Sequence, residues 1–70
     1  MESKNDKFKR LANKRVPAAI EKLELIKNLS NTTNYEYSKE EADKIIKALS
    51  NSLNEVKKSF DEKNTPKFEI

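Results

Sequence analysis

Between residues 42 and 60 the apolar positions Ala42, Ile46, Leu49, Leu53, Val56 and Phe60 recur at spacings of 4, 3, 4, 3 and 4. Six side chains at that rhythm share one narrow stripe of an α-helix. A second stripe precedes it: Phe8, Ala12, Val16, Ala19, Leu23 and Ile26, at spacings of 4, 4, 3, 4 and 3. Polar and charged residues take most of the other positions in both segments. The pattern predicts two amphipathic helices, over about 6–29 and about 39–61, with residues 30–38 between them. That connection, Ser-Asn-Thr-Thr-Asn-Tyr-Glu-Tyr-Ser, is rich in residues that favour turns. A nine-residue link between helices of matched length suits an antiparallel helical hairpin. The expected fold class is therefore all-α.

The ends of the helices carry their own signals. Asn5 or Asp6 is the expected cap of the first helix. Ser38 followed three residues later by Glu41 forms a capping box, which fixes the start of the second. Glu40, Glu41 and Asp43 add negative charge where the helix dipole is positive. The chain holds no glycine, so Asn28 or Asn31 is expected to supply a left-handed cap at the end of the first helix. Pro17 interrupts the hydrogen-bond ladder of that helix, yet the apolar phase runs through it undisturbed. One kinked helix is the favoured reading over two separate ones. Thr65-Pro66 stops the second helix, so a hairpin domain over 1–62 is followed by a polar tail over 63–70. Within that tail Lys67-Phe68-Glu69-Ile70 alternates apolar and charged residues in the manner of a strand.

The first helix has apolar residues to spare. Leu11, Ala18 and Leu25 recur every seven residues, with Leu29 one turn further, roughly 100° from the centre of the first stripe. The second helix has fewer extras, chiefly Ile45 and Ala48. One hairpin partner covers only one face of the first helix, so Leu11, Ala18, Leu25 and Leu29 are the expected self-association surface. A two-fold dimer of hairpins, making a four-helix bundle, covers them most simply.

Composition supports that expectation. Apolar residues are 34% of the chain and charged residues 39%, a lean ratio for a stand-alone core. At this length folding buries only about 60% of the unfolded surface. Small proteins compensate with disulfides, metals or oligomers. Cysteine and histidine are both absent, so disulfides and the usual zinc sites are excluded and association remains. Without histidine, cysteine or a glycine-rich phosphate loop, no catalytic residue, no cofactor and no metal ligand is expected. No stretch reads as a signal peptide or a membrane span. A cytoplasmic protein with no membrane partner is the plain expectation, which leaves the acceptor patterns Asn28-Leu29-Ser30 and Asn31-Thr32-Thr33 without glycosylation.

Charge adds an alternative. Residues 1–15 carry six basic side chains against Glu2 and Asp6, a net of +4, while the rest of the chain is at −1. Lys7, Arg10 and Lys14 fall on one side of the first helix and are candidate nucleic-acid contacts. No aromatic residue interleaves with them to stack on bases. Tyr35 and Tyr37 are a candidate partner loop or an apolar plug. The leading functional expectation is a non-enzymatic interaction or regulatory protein acting as a homodimer on another macromolecule. A nucleic-acid-binding regulator and a small inhibitor or antitoxin that docks on a protein partner are the alternatives.

The stretch from Arg15-Val16 through Leu25-Ile26-Lys27-Asn28-Leu29-Ser30-Asn31, then Asn34-Tyr35-Glu36-Tyr37-Ser38 and Lys44-Ile45-Ile46-Lys47-Ala48-Leu49, resembles a group of small uncharacterised bacterial helical proteins. These are often carried on mobile elements and share the pattern Leu-Ile-x-Asn-Leu-Ser-Asn followed by Asn-Tyr-x-Tyr-Ser/Thr. The resemblance covers about residues 15–60 and implies no catalytic or binding residue. It implies that the two asparagine-containing segments are specified features, and Pro17 departs from its pattern.

Overall fold

The computed structural model describes residues 1–64. The chain divides into two units, the first spanning Met1–Glu36 and the second opening at Tyr37. Each unit is built on one α-helix: α1, Lys4–Asn28, of 25 residues, and α2, Lys39–Asn64, of 26. No strand occurs among the described residues, and the all-α class expected from the periodicity is what the chain adopts.

The first unit starts earlier than its sequence suggests. Ser3, not Asn5 or Asp6, is the N-cap, with extended backbone at φ −73° and ψ 166°. Its hydroxyl accepts from the Asp6 N–H at 3.0 Å and its carbonyl accepts from Lys7 N–H at 3.0 Å. The hydroxyl thereby satisfies one of the donors left over at a helix start, and the carbonyl takes the first bond of the regular ladder. Asp6 in the first turn and Lys27 in the last complement the dipole. Pro17 lies inside one continuous helix. Its missing N–H costs a bond, but the turns on either side keep their phase.

At its far end α1 closes without a left-handed residue, contrary to the expectation for Asn28 or Asn31. The described chain contains no positive φ, and the cap is Leu29 at φ −67° and ψ −16°. Tightening replaces it. Leu29, Ser30 and Asn31 donate to the carbonyls of Ile26, Lys27 and Asn28 at 3.0, 3.0 and 3.2 Å. These i to i−3 bonds use carbonyls that an ordinary α-turn leaves open. Asn31 then anchors the next turn. Its side-chain oxygen accepts from Thr33 N–H at 2.9 Å, and its carbonyl from Tyr35 N–H at 2.9 Å. A side chain that bonds backbone two residues on is the reason asparagine suits this position.

The second unit opens on the expected capping box. Ser38 N–H donates to a Glu41 carboxylate oxygen at 2.9 Å, while Glu41 N–H donates to Ser38 Oγ at 3.1 Å. Ser38 pulls the Glu41 pKa below the ordinary carboxylate range, through its backbone N–H first and its hydroxyl second. From there α2 runs to Asn64, so Lys63 and Asn64 extend the helix past the end read from the sequence. Thr65-Pro66 and the alternating Lys67–Ile70 segment lie outside the described residues.

No described residue is buried. Leu11, Ala12 and Ile26 of α1 and Ala42 and Leu49 of α2 are half-buried, the most shielded positions in their helices. Ile46 and Leu53, in the middle of the α2 stripe, are 62% and 68% exposed.

Candidate self-association surface

Two regular helices present these apolar side chains, so the geometry follows from helix parameters. Each seven-residue step advances roughly 10 Å along the axis and drifts only about 20° around it. Leu11, Ala18 and Leu25 therefore form a nearly straight row on α1. Leu29 extends the row from the cap position. Leu11 is half-buried, whereas Leu25 and Leu29 remain 56% and 43% exposed. All four residues of the expected surface thus lie on one side of the first unit.

The other apolar stripe of α1 is wider than the six residues from Phe8 to Ile26. Ile20, 53% exposed, stands four residues after Val16 and three before Leu23. It broadens the stripe on the flank away from Leu11 and Leu25. The same spacing rule marks it once the stripe is allowed more than a narrow seam. Counting both faces, apolar residues reach across roughly 220° of α1 at 100° per residue. Arg15 and Lys22 stand between the faces. In α2 the apolar arc from Ala48 to Ile46 spans about 160°.

The basic set is less available than its sequence suggests. Arg10 donates from Nε to Glu2 Oε2 at 2.8 Å and from Nη2 to Glu2 Oε1 at 3.1 Å. A two-point ion pair of this kind is specific in geometry, and it pushes the Arg10 pKa up. Only Lys7 and Lys14 of the trio keep side chains that this carboxylate does not hold. Both are exposed. Farther along α1, Lys27 meets Glu24 at 3.3 Å, one turn away.

Of the tyrosines, Tyr35 belongs to the first unit and Tyr37 to the second. Both are half-exposed. Tyr35 is fixed through its N–H on Asn31, and Tyr37 immediately precedes the Ser38 cap. Among the described residues no group of three acidic, histidine or cysteine side chains stands ready to hold a metal ion, and no helix is long and apolar enough to cross a membrane. Comparison with protein-family models, with curated proteins and with solved structures gives no match.

Proposed function

We propose that the chain is a small helical interaction protein that functions as a self-associated bundle and uses that bundle to bind another macromolecule. In this reading α1 and α2 fold back as an antiparallel hairpin through the Phe8–Ile26 and Ala42–Phe60 stripes. Two hairpins then join through Leu11, Ala18, Leu25 and Leu29. One observation carries it: two amphipathic helices with more than a dozen large apolar side chains, and not one buried residue among those described. Each fully buried aliphatic or aromatic side chain contributes about 1.5–3 kcal/mol relative to its exposed state. Isolated helices in water are only marginally stable, and most helical stability in proteins comes from packing an amphipathic face. Association supplies that packing.

Sedimentation of the full chain at micromolar concentration tests the reading, and a dimer is the expected mass. Leu25→Lys should then yield a monomer with reduced helicity, because a lysine ammonium replaces an apolar contact at the joint. A stable, helical wild-type monomer would defeat it. The nucleic-acid alternative ranks behind, since Arg10 is already engaged by Glu2.

A further inference from the structure

We infer that the surface on α1 takes a second copy of this chain antiparallel, about a two-fold axis passing beside Ala18. The inference rests on the self-association reading above and adds the orientation of the partner. The face that holds Leu11, Ala18 and Leu25 also carries polar residues, so that one seam reads Lys7, Leu11, Lys14, Ala18, Glu21, Leu25 and Asn28. Its spacings are 4, 3, 4, 3, 4 and 3, and the whole of it lies on one unbroken helix.

This seam is complementary to itself only when reversed. Turned end for end about Ala18, Leu11 meets the partner's Leu25, and Ala18 meets its own copy. Lys14 falls within one residue of the level of the partner's Glu21, so opposite charges flank the central alanines. Alanine at the axis lets the two backbones approach closely, while the leucines fill the space on either side. A parallel pairing does the reverse, stacking Lys7 on Lys7 and Lys14 on Lys14.

The wider charge distribution points the same way. Residues 1–15 hold six basic groups against two acidic ones, a net of +4, whereas residues 16–31 balance Lys22 and Lys27 against Glu21 and Glu24. Antiparallel pairing sets the +4 segment beside the neutral one. Parallel pairing sets +4 against +4, the kind of juxtaposition that interfaces avoid. The Glu2–Arg10 pair relieves part of the crowding within one chain and leaves Lys7 and Lys14 on the seam. Two antiparallel helices also oppose their dipoles.

The chain has no cysteine, so single-cysteine variants of the full chain read the orientation directly. Ala18→Cys should convert to a covalent dimer on mild oxidation. Lys14→Cys and Glu21→Cys leave both leucines in place. Each alone should stay uncrosslinked, because its own copies lie roughly 12 and 9 Å apart along the axis at 1.5 Å per residue, beyond the roughly 7 Å that a disulfide allows between Cα atoms. Mixed together, they should form a covalent heterodimer. If Lys14→Cys crosslinks to itself and not to Glu21→Cys while wild type sediments as a dimer, the orientation is overturned and self-association stands. If wild type sediments as a monomer, the self-association reading falls and takes the orientation with it. If Ala18→Cys fails to crosslink in a wild-type-like dimer, the axis does not pass beside Ala18.

Discussion

α1 and α2 differ by one residue in length and both are amphipathic, yet they differ in how far apolar residues spread around them. In α2 the apolar residues keep to one continuous arc of about 160°, the start is fixed by two reciprocal hydrogen bonds, and polar residues hold the opposite side. α1 spreads its apolar residues over two faces, begins on a one-way serine cap and carries a proline through its middle. A helix with one stripe is satisfied by one partner. Two faces set roughly 100° apart suit the corner position that a helix takes in the proposed four-helix bundle. How many apolar faces a helix shows, more than its length or its propensity, decides what it assembles with.

The largest effect that separates the helices is expected in the single stripe of α2. Leu53→Ala should lower the stability of the assembled protein by about 2–5 kcal/mol, the usual cost of truncating a packed leucine. Asn54→Ala, one residue on and off the stripe, should stay within about 0.5 kcal/mol. Thermal unfolding of the two variants compares them. Should Leu53→Ala prove as silent as Asn54→Ala, the α2 stripe is not a packing surface.

Pro17→Ala sharpens the contrast from the other side. An interior proline costs about 3 kcal/mol relative to alanine, so relieving it should raise both the helicity and the unfolding midpoint. An unchanged midpoint would show that α1 begins afresh at Pro17, where a proline is tolerated as a first helical residue.

The smallest difference lies in the caps. Ser38→Ala and Ser3→Ala should each cost about 1 kcal/mol, with Ser38 the costlier because its partner Glu41 bonds back. Acid should discriminate between them. Glu41 is held below the ordinary carboxylate value, about 4.3, so its contribution is fully present above that value. It fades as pH falls through the lowered one. Circular dichroism of Glu41→Gln, which keeps the hydrogen-bonding shape and loses the charge, should lack that acid-dependent step. An identical acid profile in wild type and variant would remove Glu41 from the account.

Most of this plan was legible in the residues. The 4-3 spacing placed both helices, the phase running across Pro17 indicated one helix, and Ser38 with Glu41 marked a start that the hydrogen bonds confirm. Ser3 is harder to read as a cap, although Asp6 stands three residues beyond it, because the polar lead carries no apolar rhythm to mark where the helix begins. The end of α1 misled for a different reason. A chain without glycine was expected to force an asparagine into the left-handed region. Short i to i−3 bonds at Leu29, Ser30 and Asn31 satisfy the same carbonyls at no such cost. Asn31 proves specific all the same, through the Asn31–Thr33 turn. The Glu2–Arg10 pair was invisible to helix-spacing rules, since Glu2 stands outside the helix and eight residues away.

Helicity that depends on association is the central claim, and a dilution series of the wild-type chain tests it most directly, with circular dichroism and sedimenting mass followed together. The account predicts that the helical signal falls in step with the dissociation of the dimer. A monomer that keeps its full helical signal at the lowest concentration would contradict it.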